Sequence, residues 1–368
     1  MKNIPWWQPQ FGEMERHLIG DVLSNAFPNE GVLTGIFEKK IAKLLGVRHV
    51  LAVTSATAGM FLSLKAAGIT QGDEVIVPDI SFIATANAVE MTGAKAILAD
   101  VDPKTLTIDT KKIERSITKR TRAIIPVHVS GRGADMKTII TLARKHELFV
   151  IEDAAEAFMS KHEKIYLGTY GNTGCFSLSP AKTITTGQGG LIVTSSDSLY
   201  LKLKMLKDQG RPVRGTGGDD IHPGLGFNFK FTDLQAAVGI GQLSYLKKRI
   251  TRMKKNYRLY KTGLENIPGF SLLPFQIDNG ELPQWTDALA DRRDELDSYL
   301  KSKNIHCRRY WHPIHTQAYY KQSNTKFPVS TNSSPQAIWL PSSFTLTDKD
   351  VEDVCKAIRR FYSNEKKN

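Results

Sequence analysis

Cysteine is scarce in this chain, with three residues, Cys175, Cys307 and Cys355, among 368. They share neither disulfide nor metal-ligand spacing. That argues against a stapled secreted scaffold and a metal site, and fits a reducing, cytoplasmic setting. No apolar run is long enough to span a bilayer, and the opening MKNIPWWQPQFGEMERHLIG lacks the apolar core of a signal peptide, so no membrane partner is expected. Repeats and low-complexity tracts are absent as well. Acids are outnumbered, 37 against 50 Lys and Arg, leaving a net charge of +13. The excess is densest at Lys247-Lys248-Arg249, Arg252, Lys254-Lys255 and Arg258, and again at Lys366-Lys367. No nucleic-acid module or interleaved aromatics accompany it, so the 247–258 run reads as a solvated helix face and no nucleic-acid partner is expected. The surplus also suits an anionic small substrate.

What is present is an alternation. Met14 to Ala26 and Phe37 to Leu45 read as helices, and His49 to Val53 as a short strand feeding Ser55-Ala56-Thr57 and a helical segment from Ala58 to Ala67. EVIVP (74–78), AKAILADV (94–101), RAIIPVHV (122–129) and LFVIED (148–153) are strand-like, with helical patterns at Phe82 to Met91 and Met136 to His146. Strands alternating with helices predict an α/β fold, a mostly parallel sheet sandwiched by helices. The length suits one large and one smaller domain. Ligands of such sheets gather at the carboxyl ends of the strands.

Three strand ends carry chemistry. At Ser55-Ala56-Thr57 a strand opens into a helix, whose free N–H groups and two hydroxyls can cradle a phosphate, although Ser or Thr there is also the ordinary N-cap. LFVIED ends in Glu152-Asp153, where an acid is costly to bury without a cationic partner, although it could equally cap the next helix. In CFSLSPAKTITTGQGG (175–190) an apolar run breaks at Pro180, presents Lys182, and passes through threonines to Gly187, Gly189 and Gly190 before a second strand, Leu191 to Thr194. A lone lysine between two core strands suits a Schiff-base lysine; an exposed lysine in a hairpin loop is the other reading of this stretch. Together a phosphate cradle, a buried carboxylate and a lysine are what pyridoxal 5′-phosphate (PLP) requires. The acid keeps the pyridine nitrogen protonated, the lysine holds the aldehyde, and an aromatic such as Phe82 covers one ring face.

The chain resembles the DegT/DnrJ/EryC1/StrS family of PLP-dependent sugar aminotransferases from about Phe11 to Tyr362. The resemblance rests on six segments in the family's order: QGDEVIVPDISFIATANAVEMTGA, ILADVDPKTLTID, TRAIIPVHVSGRGADM, IEDAAEA, FSLSPAKTITTGQGG and GFNFKFTDLQAAVGIGQL. It implies PLP-dependent transferase fold type I, with a large PLP-binding domain over 1–245 and a smaller C-terminal α+β domain over 246–368. It also implies an enzyme of the transaminase type that cycles between PLP and pyridoxamine phosphate (PMP). Lys182 matches the family's aldehyde-binding lysine and Asp153 the partner of the ring nitrogen. Phe82 matches the stacking aromatic, Ala56 and Thr57 the phosphate-binding turn, and Ser177 a hydroxyl that also reaches the phosphate. Asn228 matches an asparagine that contacts the phosphate from the neighbouring subunit, which implies a homodimer with shared active sites. Relatives that lost the lysine became dehydratases, so Lys182 favours transamination.

Two positions depart from the family's usual pattern. Glu156 stands where glutamine commonly meets the cofactor's phenolic oxygen, and an anion there requires that one of the two keep a proton. SLSPAK replaces a more aromatic run before the lysine. The combination of EDAAEA with KTITTGQGG resembles the GDP-perosamine synthase-like branch, which aminates a 4-keto-6-deoxy sugar. RRYWHPIHTQAYY (308–320) resembles that branch's substrate-facing segment, from which Tyr310, His312 and His315 are candidate sugar or diphosphate contacts and Arg308 and Arg309 candidate diphosphate cations. The expected reaction moves an amino group from L-glutamate to a nucleotide-linked keto-sugar. A PLP- or PMP-dependent sugar dehydratase, or an aminotransferase acting on a cyclitol or free keto-sugar, is the alternative.

Overall fold

The computed structural model describes residues 2–212 and 221–363, so the basic pair Lys366-Lys367 lies outside the described residues. Two helices, α1 (Glu13–Ser24) and α2 (Val32–Leu45), precede the alternating region. Then come β1 (His49–Val53), α3 (Ala56–Ala66), β2 (Glu74–Pro78), α4 (Ala84–Glu90), β3 (Lys95–Ala99), α5 (Thr110–Ser116), β4 (Thr121–Ile124), α6 (Met136–Lys145) and β5 (Phe149–Asp153). A small hairpin, β6 (Lys161–His162) and β7 (Ile165–Tyr166), leads to β8 (Thr173–Ser177) and β9 (Gly190–Thr194), and then to α7 (Asp197–Lys207) and α8 (Asp233–Ser244). Among the described residues the main sheet has seven strands in the order β1-β9-β8-β5-β4-β2-β3. Six run one way, and β9 runs against both of its neighbours.

Because both faces are covered, the strands are apolar at nearly every position, and alternate residues feed opposite cores. Val75, Val77, Ile151 and Cys175 pack with α3 and α4 on one face. Ile76, Ile124 and Val150 pack with α6 on the other, where Phe176 and Leu191 meet α2. The strand predicted over 122–129 stops at Ile124, because Pro126 has no N–H for a ladder; a single bridge, Val127 to Asp153, continues the direction.

The second unit is built from α9 (Leu246–Gly263), β10 (Phe270–Leu272), β11 (Asp287–Ala290), α10 (Arg293–Ser302), β12 (Arg308–Arg309), α11 (Pro328–Ser333), β13 (Ala337–Trp339) and α12 (Asp348–Ser363). Its antiparallel sheet has the order β10-β11-β13-β12. At the N-terminus Ile4 pairs with Ile305 and is buried in this unit's core, whereas α1 packs against α8, where Gln242 donates to the Gln10 carbonyl and to Glu15. The basic run on α9 is also not uniformly solvated. Arg249 is buried and donates to the carbonyls of Thr183 and Gln10, while Arg252 and Lys255 pair with Asp348 on α12.

Three buried carboxylates tie the two units together. Asp287 receives both terminal nitrogens of Arg132, at 3.2 and 2.9 Å, and the Tyr310 hydroxyl at 3.0 Å. Asp79 accepts from the backbone N–H of His315 at 2.8 Å and lies 2.6 Å from its Nδ1. Asp100 caps α11 through the N–H groups of Val329 and Ser330. Tyr310 and His315, read from the sequence as substrate contacts, are therefore core residues. Each is buried; the Tyr310 hydroxyl and His315 Nδ1 meet carboxylates from other parts of the chain, and His315 Nε2 stands 3.1 Å from Asn324 Oδ1.

Candidate active site

A cleft of about 280 Å³ opens at the carboxyl ends of the parallel strands. Ser55, Ala56 and Thr57, at the start of α3, line one end, and Asp153, at the end of β5, lines another part. Phe82, Glu156, Ser177, Lys182 and Arg308 complete the set of predicted residues that the fold gathers here.

Each arrives by a local cause. Ser55 caps α3, its side chain accepting from the Ala58 N–H at 3.1 Å, so the N-cap reading of that turn holds. Among the described residues the N–H groups of Ala56 and Thr57 have no protein acceptor, as expected of a first helical turn. A side chain at Gly190 would stand 2.3 Å from the Ser55 carbonyl carbon, so only glycine lets β9 press against this turn. Glu152 and Asp153 point to opposite faces of the sheet. Glu152 accepts from the N–H groups of Gly168, Tyr170 and Gly171 and contacts His128 Nε2 at 2.9 Å. Ala134 donates its N–H to His128 Nδ1, which puts the imidazole proton on Nε2, directed at Glu152. Glu152 is thus structural, and Asp153 faces the cleft.

Lys182 lies on the connection between β8 and β9, an antiparallel pair, so its loop is topologically a hairpin, although the side chain is only 12% exposed. The loop is held from several directions. Trp7 Nε1 donates to the Pro180 carbonyl at 3.0 Å, Thr183 donates to Gln284 Oε1, and Arg249 donates to the Thr183 carbonyl at 2.9 Å. Lys182 Nζ stands 3.4 Å from Glu156 Oε1 and 4.5 Å from the centroid of Trp285.

Burial pushes the carboxyls of both Asp153 and Glu156 above their ordinary range. The Thr85 hydroxyl, at 2.6 Å, the Ala155 N–H and Lys182 pull Asp153 back down. For Glu156 the opposing influences are Lys182 and the Ser130 N–H, which donates at 2.8 Å. Two acids in dry surroundings, both acted on by the charge of one lysine, can hold a cationic ring nitrogen and manage one proton.

The remaining predicted residues lie elsewhere. Arg309 sits 3.4 Å from both Asp294 and Asp297 on the surface, and His312 is exposed away from the cleft. Asn228 is exposed and bridges to Asp208, outside the cleft of its own chain. Sequence reasoning missed Trp285, Trp311, Gln284 and Arg249. Gln284 and Trp285 lie far from Lys182 in the chain and carry no motif, while Trp311 stands in the 308–320 segment and Arg249 in the basic run without any signal that assigns either to the cleft.

A sheet with one reversed strand, a lysine on the connection into that strand and a buried acid at a neighbouring strand end define a PLP-dependent transferase of fold type I. The chain belongs to the DegT/DnrJ/EryC1/StrS aminotransferase family, whose profile matches residues 9–359, and it is an aminotransferase. The GDP-perosamine synthase of Escherichia coli O157:H7 is 35% identical over 371 residues, covering 99% of this chain and all of the relative. The spore coat polysaccharide biosynthesis protein SpsC of Bacillus subtilis is 33% identical over 376 residues, with 97% and 96% covered. Among solved structures, S. venezuelae DesV in complex with a ketimine intermediate superposes with a TM-score of 0.90 at 28% identity, over 97% of this chain and 99% of that one.

Proposed function

We propose that this aminotransferase carries PLP in the cleft and transfers an amino group from L-glutamate to the keto group of a nucleotide-linked 4-keto-6-deoxy sugar. The observation that carries the reading is the position of Lys182, with the buried Asp153 carboxyl and the unpaired amides of Ala56 and Thr57 lining the same cleft. These donors fit the cofactor: Asp153 for the ring nitrogen, Ala56, Thr57 and Ser177 for the phosphate, Lys182 for the aldehyde carbon and Phe82 for a ring face. When bound, the cofactor supplies an electron sink that makes the donor's Cα–H acidic.

The chain's own residues do the rest. Lys182 Nζ takes the Cα proton of the amino donor and, in the second half, returns one to the sugar carbon. Between transfers its ammonium rests against Glu156 Oε1 and the face of Trp285. When Lys182 is engaged elsewhere, Glu156 loses its cation, and burial favours the protonated carboxyl, which can then donate to the cofactor's phenolic oxygen. Asp153 would hold the proton on the ring nitrogen in both halves. Arg308, the other cation lining the cleft, is the candidate for the substrate's diphosphate, and the likeness to GDP-perosamine synthases supports that substrate class.

A homodimer with shared sites accounts for Asn228, which is exposed in one chain. Apolar side chains left in solvent on and around α1 and α2, among them Phe11, Leu23, Phe27 and Val32, support a partner copy. Free cysteines agree with a cytoplasmic enzyme.

The decisive experiment has two stages. Glutamate alone should convert the cofactor to its amino form, which separates transamination from elimination. A panel of nucleotide keto-sugars should then restore the original absorbance. A response confined to free keto-sugars or cyclitol ketones would overturn the nucleotide-sugar assignment.

A further inference from the structure

All five tryptophans of the chain, Trp6, Trp7, Trp285, Trp311 and Trp339, meet in one cluster. Ring centroids are 5.2 Å apart for Trp6 and Trp285, 5.0 Å for Trp285 and Trp339, and 4.9 Å for Trp311 and Trp339. The two cations that line the cleft rest on this one frame. Lys182 Nζ is 4.5 Å from the Trp285 centroid, and the Arg308 guanidinium carbon is 4.8 Å from that of Trp6 and 5.8 Å from that of Trp339.

The adjacent arginines differ in how they are held. Arg309 is within 3.4 Å of two aspartates. Among the described residues Arg308 has no carboxylate partner. A guanidinium held on indole faces is fixed in space yet keeps its in-plane N–H donors for a ligand, whereas one paired with acids has spent both its charge and its donors.

Trp6 belongs to an N-terminal strap that is stitched to both cation-bearing segments. The Ile4 N–H donates to the Asn304 carbonyl and the His306 N–H to that of Ile4, each at 2.9 Å, beside the entry to β12. One residue after Trp6, Trp7 Nε1 donates to the Pro180 carbonyl, two residues before Lys182. The strap thus links the segment that carries Arg308 to the loop that carries Lys182.

We propose that Trp6 is a positioning residue: it holds Arg308 ready for the anionic group of the sugar substrate, at a set separation from Lys182. The inference rests on the reading that Arg308 meets a diphosphate. It adds that the tryptophan frame, and not Arg308 alone, decides how far from that anion the reacting carbonyl must lie.

The test uses the cofactor-loaded enzyme, with GDP as the binding probe in calorimetry and a nucleotide keto-sugar from the panel for kinetics. Trp6→Met keeps apolar bulk but removes the aromatic face; Trp6→Phe restores a face. Trp6→Met and Arg308→Ala should each weaken GDP binding by about tenfold, the scale of one cation–π or charged contact. Trp6→Met should raise KM for the sugar with much less change in kcat, Trp6→Phe should recover most of the affinity, and the double variant should be no worse than Arg308→Ala. Wild-type GDP affinity in Trp6→Met beside a weakened Arg308→Ala overturns the role of Trp6 alone. Equal loss in Trp6→Met and Trp6→Phe, or additive loss in the double variant, shows a merely structural tryptophan and also overturns it. Undiminished GDP binding by Arg308→Ala removes the diphosphate reading and the inference with it. Should Trp6→Met not fold, Trp6→Leu, which also keeps apolar bulk without an aromatic face, carries the test. Loss of affinity there supports the indole frame, and wild-type affinity overturns it.

Discussion

Replacing Asp153 with asparagine should have very unequal consequences for the cofactor-free and cofactor-loaded protein. Asp153 is 5% exposed, and burial raises its pKa above the ordinary 3.8. A carboxyl raised in the native state binds more protons there than in the unfolded chain. Its penalty is absent below pH 3.8 and grows as pH rises from there towards the folded value. Each unit of displacement costs about 1.4 kcal/mol, and asparagine removes that cost. Against this, the variant weakens one hydrogen bond from Thr85 or Ala155, worth about 1 kcal/mol. At pH 8 the cofactor-free variant should therefore lie within about 1–2 kcal/mol of wild type, and its stability should fall less between pH 4 and pH 8. With cofactor bound, the same change breaks a buried ion pair, a loss of about 3–5 kcal/mol. Cofactor affinity should drop by roughly a hundred- to several-thousand-fold. Urea unfolding of the cofactor-free proteins at both pH values, with absorbance titration of PLP, measures both arms. A cofactor-free variant destabilised as much as the loaded one would make Asp153 a structural residue. Cofactor affinity within threefold of wild type would refute its pairing with the ring nitrogen.

Lys182→Ala should abolish turnover and the absorbance of covalently attached cofactor while leaving the melting temperature of the cofactor-free protein almost unchanged; turnover near the wild-type rate would contradict the assignment. Asn228→Asp should weaken PLP binding, and mixing it with Lys182→Ala should restore activity in heterodimers that contain one intact site. Failure to recover after confirmed subunit exchange argues against shared sites. Arg308→Ala should raise KM for the sugar at least tenfold, while Arg309→Ala, whose side chain is paired with Asp294 and Asp297, should change it less than twofold. Steady-state kinetics on both variants decides. Asp287→Leu leaves Arg132 buried without its partner and should cost about 3–5 kcal/mol in denaturant unfolding, whereas Arg132→Met combined with Asp287→Leu should recover much of that. No recovery in the double variant would mean that the pair is not the tie between the two units.

Much of this protein was determined locally, by the residue pattern itself. β1 and β2 were legible to the residue, at His49–Val53 and Glu74–Pro78, because a strand buried on both faces is an uninterrupted apolar run with polar punctuation. The turn at Ala56-Thr57, the acid ending β5 and the lysine after Pro180 were legible for the same reason: each stands at the point where an apolar run gives out. Contacts between distant segments had no such signature. Which of Glu152 and Asp153 faces the cleft depends on the sheet's two sides and on the N–H groups of Gly168, Tyr170 and Gly171. A histidine and a tyrosine in an aromatic segment read as ligands until Asp79 and Asp287, more than 200 and more than 20 residues away, engage them in the core. Arg308 and Arg309 are indistinguishable as a dipeptide, but successive strand residues point to opposite sides. One side holds tryptophans drawn from the chain's beginning and end, and the other holds the aspartates of α10, so tertiary packing alone decided which arginine is left for a ligand.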